Sequence, residues 1–353
     1  MQSKDYKALI LVGGYGTRLR PLTLTTPKPL VRFANKPILK HQIEAIAQCG
    51  VKDIILATNY KTEDIKKEVM KYQRELDINI IFSVENEILG TAGPLALAKK
   101  YFENVKGVIV FNSDVICSYP ILEMMHHYEN SSFDGIMLLT KVSNPEKYGV
   151  TEIDMVDGTI KKFWEKPDTY ISNLINAGIY ILSWDVLKKL QVKESYLEKD
   201  VFPQMCDNRK LGYFELNGFW MDIGQPADYL IGQNLYLKSR QDNFKDLVMI
   251  GDDVKIGEDS VIGPNVIIED FCVIGKGVRI MNATIMRNTK IKDFAVIDNA
   301  IIGKDCILEK WSRINGICVL GDSTHIDEMI NLEKCTILPF KRVKENIKDK
   351  IVM

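Results

Sequence analysis

Hydrophobic positions along the chain follow two rhythms, and the change falls near residue 250. Up to about residue 240, short apolar runs alternate with segments of helical spacing, the mark of a layered α/β domain with a largely parallel sheet. Ala8 to Val12, Asp53 to Thr58, Ile78 to Val84, Gly107 to Phe111 and Ile136 to Val142 predict strands. After the first of these, Pro37 suits a helix first turn, Ile38, Gln42, Ile43 and Ile46 follow at helical spacing, and Gly50 stops the run. Asp157-Gly158 between alternating segments predicts a hairpin, so the sheet becomes mixed. Phe219 to Gly224 reads as a short strand or loop, and Tyr229, Leu230, Leu235, Tyr236 and Leu237 predict a helix leading out of the domain.

Beyond residue 250 the period is six. Ile256, Ile262, Ile268, Ile274, Ile280 and Met286 recur, with Val254, Ser260, Val266, Cys272, Val278 and Thr284 two places earlier. The phase slips by one residue to Ile291 and Ile297, then again to Ile302, Leu308, Ile314, Leu320, Ile326 and Leu332. Hexads predict a parallel β-helix in which each aliphatic points into a triangular prism, and Gly257, Gly263 and Gly275 are expected to permit its corners. A sandwich would instead show period-two alternation broken at irregular intervals. Two domains are thus expected, at 1–240 and 250–353.

Composition narrows the partners. With 46 basic and 47 acidic residues, the formal net charge of −1 provides no global field toward nucleic acid or anionic lipid, so any anionic ligand must be held locally. The polar opening Met1 to Lys7 runs straight into a strand, and no uncharged stretch reaches spanning length, so a cytoplasmic location is the expectation. Cys49, Cys117, Cys206, Cys272, Cys306, Cys318 and Cys335 form no Cys-x-x-Cys and mostly sit beside apolar residues, which predicts reduced, buried thiols.

Candidate chemistry begins where the first strand ends. Gly13, Gly14 and Gly16 let the backbone bring its N–H groups close to phosphate oxygens, and Arg18 and Lys28 add positive charge. The spacing fits neither a P-loop nor the Rossmann fingerprint. Asp114, in Phe111-Asn-Ser-Asp, follows a buried strand and reads equally as a ligand at a sheet crevice or as a loop cap. Asp222 lies in a similar apolar frame, and two such carboxylates suit Mg²⁺. Gly90-Thr-Ala-Gly-Pro94 reads as a helix start whose N-terminus is either a ligand support or simply a capped turn. Glu165-Lys166 and Asn176-Ala-Gly178 are weak as isolated motifs. His41, His126 and His127 read as structural or solvated, and Lys341 to Lys350 as a solvated tail.

In order and identity these segments resemble the sugar-1-phosphate nucleotidylyltransferase family, whose signature Gly-Gly-x-Gly-Thr-Arg-Leu-x-Pro-Leu-Thr and Pro-Lys-Pro stand here at 13–23 and 27–29. The likeness extends through Leu89-Gly-Thr-Ala-Gly-Pro-Leu, Asn112-Ser-Asp, Lys147-Tyr-Gly-Val, Glu165-Lys-Pro, Asn176-Ala-Gly and Phe219-Trp-Met-Asp-Ile-Gly-Gln-Pro. It is similar above all to the branch that makes GDP-mannose and pyrophosphate from GTP and mannose 1-phosphate. The resemblance implies a Rossmann-like domain with a mixed, mostly parallel sheet, then a left-handed parallel β-helix of hexapeptide repeats. It implies catalytic roles for Arg18, Lys28 and Lys166, and nucleotide contacts from Gly13, Gly14, Gly16, Thr17, Gly90, Thr91 and Asn112. Gly149, Glu165, Asn176 and Gly178 would receive the sugar phosphate, and Asp114 and Asp222 would bind Mg²⁺. It also implies a homo-oligomer, or a complex with a related regulatory subunit through the β-helix. Non-catalytic relatives exist, but all the charged positions are present here. An acyltransferase β-helix would want a histidine base, for which only His325 follows residue 127.

Overall fold

The computed structural model describes residues 5–59, 61–103 and 105–353. Its contacts form two compact units, one running up to Gly14 and then over Leu39–Trp220, the other comprising Tyr15–Ile38 and Met221–Met353. These units cut the chain differently from the expected sequence domains: the segment after the glycine loop and the helix expected near 229–237 both group with the C-terminal residues.

In the first unit, in chain order, β1 is Tyr6–Leu11, α1 Ile38–Gln48 (beginning one residue before the unit), β2 Asp53–Thr58, α2 Thr62–Glu75 and β3 Asn79–Val84. Then come β4 Gly107–Asn112, α3 Ile121–Glu129, β5 Gly135–Lys141, β6 Gly149–Asp154, β7 Thr159–Glu165, β8 Leu174–Leu182, α4 Phe202–Asp207 and β9 Leu211–Glu215. Among the described residues they build a nine-stranded sheet in the order β3-β2-β1-β4-β8-β5-β9-β7-β6. β3, β2, β1 and β4 are parallel, whereas β8 runs antiparallel to both β4 and β5. The expected hairpin is present: β6 and β7 pair antiparallel, with Gly158 at φ +69° before β7. Leu9, Ile55, Val108, Val110, Tyr180 and Leu182 are fully buried, as strands covered on both faces require. Pro37 departs from expectation, because Lys36–Pro37 pairs with Arg32–Phe33 as a tight hairpin and the helix opens at Ile38.

The second unit contains α5, Pro226–Ser239, and a strand-rich C-terminal stack in which the strand pairings are parallel. Three ladders run along it, through Val248–Ile250 and Val266–Ile268, through Val261–Ile262 and Arg279–Ile285, and through Lys255–Ile256 and Val273–Ile274. Each coil pairs with the one 18 residues on at first, as in Ile250 with Ile268, and 17 residues on where the phase slips, as in Ile268 with Ile285. The slip lies one hexad earlier than its sequence position suggests. After Ile280 the residue in the apolar core is Ile285 rather than Met286, because the corner shortens from Gly263-Pro264-Asn265 to Met281-Asn282.

The glycines also do something other than expected. The recurrent left-handed corner residues include Asp253, Asp259, Asn265, Phe271, Asn282, Phe294 and Trp311, whereas of Gly257, Gly263 and Gly275 only Gly263 has a positive φ. Gly257 and Gly275 are required by close approach of coil to coil: a Cβ on Gly257 would lie 2.6 Å from the carbonyl carbon of Gly275. Cys272, Cys306, Cys318 and Cys335 fill small positions inside the stack as free thiols, and burial pushes the Cys272 thiol up to about 12. No helix of the described residues is long and apolar enough to cross a membrane.

Candidate functional site

The parallel strands β1, β2 and β4 present their carboxyl ends side by side, where ligands sit in open α/β sheets. Gly14 follows β1 at φ +109° with its N–H 3.4 Å from Asn59 Oδ1, and a Cβ there would meet nothing within 4 Å. Backbone conformation therefore demands glycine, and the space in front of it is open. At the end of β4, the fully buried Gln42 donates its amide to the carbonyls of Asn112 (2.8 Å) and Val115 (3.1 Å). That clamp fixes the turn carrying the half-buried Asp114.

Strand register brings the other expected residues to this turn. Ile179 pairs with Phe111, so Gly178 lies beside Asn112, and a Cβ on Gly178 would come within 3.0 Å of Asn112 Nδ2. A bulge between Asn176 and Tyr180 turns Asn176 inward: its Oδ1 accepts from Gly178 N, and its Nδ2 meets the Tyr180 hydroxyl at 2.6 Å. Tyr180 is completely buried, with Asn112 and the Glu198 and Glu165 carboxylates close enough to act on its hydroxyl. Burial drives the Tyr180 pKa well above its ordinary value, so it is a neutral hydroxyl at any working pH.

Glu165 ends β7 opposite Gly149, where a Cβ would collide with the Phe163 ring at 2.4 Å and stand 3.2 Å from Glu165 Oε2. Lys166 follows in the left-handed region at φ +47°, its ammonium 3.3 Å from Glu165 Oε1 and largely exposed. A non-glycine residue held there stores roughly 1–2 kcal/mol of backbone strain, the kind of outlier that clusters at working sites. Thr91 donates its hydroxyl to Glu198 Oε2 at 2.6 Å and accepts from Leu197 N at 2.8 Å. Glu198 stands in a single π-helical turn, and burial first of all raises its pKa. Of the two readings left open for Gly90–Pro94, the structure favours the plain helix start. The helix there is Gly93–Leu97, and the amides of Thr91 and Ala92 donate to the Ser195 carbonyl, so those two donors are taken by protein rather than offered to an anion. Gly90 itself, at φ +75°, is required by contact, since its Cβ would fall 2.3 Å from that carbonyl.

The remaining expected residues belong to the second unit. Gly16, at φ +61°, leaves no room for a side chain, because a Cβ would stand 2.9 Å from both Lys28 Cβ and Thr23 Cγ2. Thr17 and Arg18 form the short turn that follows, and both are exposed. Arg18 and Asp222 meet at Gly224: a Cβ there would lie 2.9 Å from Asp222 Oδ1 and 3.3 Å from Arg18 Nη2. Gly224 N donates to Asp222 Oδ1 at 2.9 Å. Aspartate oxygens are the donor type a hard divalent ion takes. Sequence reasoning missed Gln42, Tyr180 and Glu198: Tyr180 stands in an apolar strand and reads as core, whereas Gln42 and Glu198 sit among polar and charged neighbours with no local signal.

Two family models together match most of the chain. A model described as nucleotidyl transferase matches residues 7–239, and one described as GMPPB C-terminal domain matches 244–353. The chain belongs to the nucleotidyl transferase family. A probable mannose-1-phosphate guanylyltransferase 3 of Oryza sativa is 44% identical, over 98% of this chain and 100% of the relative. A mannose-1-phosphate guanylyltransferase catalytic subunit beta of Drosophila pseudoobscura is also 44% identical, over 97% of this chain and 95% of its own. Among solved structures, HddC from Yersinia pseudotuberculosis complexed with GMP-PN is 31% identical with a TM-score of 0.55, covering 64% of this chain and 97% of that one. Enzymes of this nucleotidyl transferase family work with a divalent cation.

Proposed function

We propose that this chain is an enzyme that joins GTP and mannose 1-phosphate to give GDP-mannose and pyrophosphate. A phosphate oxygen of the sugar phosphate forms a bond to the α-phosphorus while the bond to the bridging oxygen of the departing pyrophosphate breaks. Phosphate monoesters have a second pKa of about 6, so the nucleophile arrives mostly dianionic and requires no base. Repulsion between two anions is the obstacle, and alignment and charge neutralisation supply the catalysis.

In this reading Gly13, Gly14, Gly16 and Thr17 cradle the triphosphate, with Arg18 and Lys28 taking the charge that grows on pyrophosphate. Gly90, Thr91 and Asn112 bound the nucleoside; Gly149, Glu165, Asn176 and Gly178 bound the sugar; and Lys166 holds its phosphate. Asp114 and Asp222 would hold a divalent cation, Mg²⁺ in this proposal, which when bound neutralises phosphate charge. The observation that carries the two-substrate reading is Tyr180, whose buried hydroxyl accepts from Asn176 of the sugar set at 2.6 Å and lies close to Asn112 of the nucleotide set. The C-terminal stack is read as a left-handed β-helix of hexapeptide coils, supported by its three parallel ladders and left-handed corner residues. A cytoplasmic setting suits the free thiols. The name of the Drosophila relative supports assembly with copies of itself or with a related subunit. Pyrophosphate release with Mg²⁺ across four nucleoside triphosphates and three hexose 1-phosphates tests the proposal. GTP with mannose 1-phosphate should dominate, and a clear preference for another pair would overturn the substrate assignment.

A further inference from the structure

The segment 15–38 carries Gly16, Thr17, Arg18 and Lys28, and side-chain contacts from Thr25, Arg32 and Asn35 fasten it to the C-terminal stack. The Thr25 hydroxyl donates to Asp322 Oδ2 at 2.5 Å, and Asp322 is 4% exposed. Arg32 Nε donates to Glu269 Oε2 at 2.9 Å, and Glu269 is fully buried. Asn35 Nδ2 donates to Asp270 Oδ1 at 2.9 Å. Each acid is itself held from the stack: Asp322 accepts from Lys304 N, Glu269 from Arg287 N and Asp270 from Asp252 N. By strand register Asp270 and Asp322 occupy the same place in their coils, three coil steps apart.

From these anchors the connection to the cations is short. Thr25 closes the helical turn Leu22–Thr25, within which the Thr23 hydroxyl donates to Gly16 O at 2.8 Å, and Gly16 packs on Lys28. Leu19, beside Arg18, is fully buried and donates its N–H to the same Gly16 carbonyl. On the other side, Arg32 opens the hairpin that follows Lys28–Leu30 and Asn35 lies in its turn, and the α5 residue Tyr229 donates its hydroxyl to Arg32 O at 2.7 Å.

We infer that the C-terminal stack is a positioning element of the nucleotide site: Asp322 and Glu269, through Thr25 and Arg32, set the placement of Arg18 and Lys28. The inference rests on the reading that Arg18 and Lys28 hold the triphosphate. Its test is steady-state kinetics of the full chain on both substrates, with unfolding midpoints, for Thr25→Val, Thr25→Ser, Glu269→Gln and Arg18→Ala. Thr25→Val is nearly isosteric and removes only the hydroxyl, so it should fold. It should raise KM for GTP about fivefold and leave KM for mannose 1-phosphate unchanged, lower the midpoint slightly because the nearly buried Asp322 loses a donor, and be rescued by Thr25→Ser. Glu269→Gln should move the same parameter in the same direction. If Arg18→Ala raises KM for GTP while Thr25→Val and Glu269→Gln do not, the positioning role is overturned. If Arg18→Ala itself leaves KM for GTP unchanged, the triphosphate reading fails and the inference with it. Parallel loss of both KM values with a lowered midpoint in Thr25→Val, unrescued by serine, would make the contact structural only and also overturn it.

Discussion

Gly224→Ala separates site geometry from stability more cleanly than removal of a charged group. Gly224 does not lie in the left-handed region, so alanine is compatible with its backbone. The added methyl would stand 2.9 Å from Asp222 Oδ1 and 3.3 Å from Arg18 Nη2, closer than such atoms tolerate, so both groups must move by a few tenths of an ångström. Glycine-to-alanine exchange at an acceptable backbone position stabilises by about 0.4–1 kcal/mol through the unfolded chain. The crowded carboxylate offsets that gain, so the unfolding midpoint should barely change. Misplacing reacting partners by about 1 Å costs up to about 100-fold in rate. The smaller displacement here should lower kcat by about tenfold, equal to about 1.4 kcal/mol of barrier. Continuous pyrophosphate detection over a Mg²⁺ titration is the assay. Gly158→Ala provides the contrast, because φ +69° penalises alanine by about 1–2 kcal/mol at a hairpin outside the proposed site. It should lower the midpoint and leave kcat alone. A folded Gly224→Ala protein with full kcat and an unshifted Mg²⁺ requirement would refute the placement of Arg18 and Asp222 in the reaction.

Asp114→Asn, Asp222→Asn and Lys166→Ala should each lower turnover by orders of magnitude while circular dichroism remains native; full activity in Asp222→Asn at ordinary Mg²⁺ would sink the metal assignment. Arg18→Lys keeps the charge but loses the planar fork, so turnover should fall, and an unchanged rate would reduce Arg18 to a point charge. Glu269 supplies a pH signature. Burial raises its carboxyl above the ordinary 4.5, against the lowering effect of Arg32. A raised folded-state pKa means that its contribution to stability is complete below 4.5 and is lost as pH rises through the folded value. Midpoints of wild type and Glu269→Gln should therefore diverge less at low pH than above the raised pKa; parallel curves would show that Glu269 does not titrate in that window.

Much of this architecture was legible because its signals are local. Asp53–Thr58 and Ile38–Gln48 announce themselves by apolar spacing, and the hexads announce parallel coils. The phase slip was visible but displaced by one hexad, since sequence alone cannot say whether Ile285 or Met286 turns inward when a corner loses a residue. Gly257 and Gly275 looked like corner residues, yet their need comes from the neighbouring coil, which a one-dimensional reading does not contain. Candidate residues carried by charge or glycine patterns could be picked out locally. Tyr180 could not, because a tyrosine in Ile179-Tyr-Ile-Leu reads as core and its role depends on a bulge. Glu198 depends on Thr91, 107 positions away, and Arg32 on Glu269, 237 positions away.

The repeated spacing of the coils gives the anchors of segment 15–38 a metric meaning. Neighbouring strands lie about 4.8 Å apart, so the three steps from Asp270 to Asp322 measure about 14 Å along the stack. The stack is in effect a ruler, with Asn35 and Thr25 read against two of its graduations. Residues can be gained or lost at a corner, as the change from 18 to 17 shows, without moving either mark. A whole coil added or deleted between residues 270 and 322 would shift one mark by a full graduation, so this stretch is confined to a fixed number of turns while the coils beyond it are free to vary.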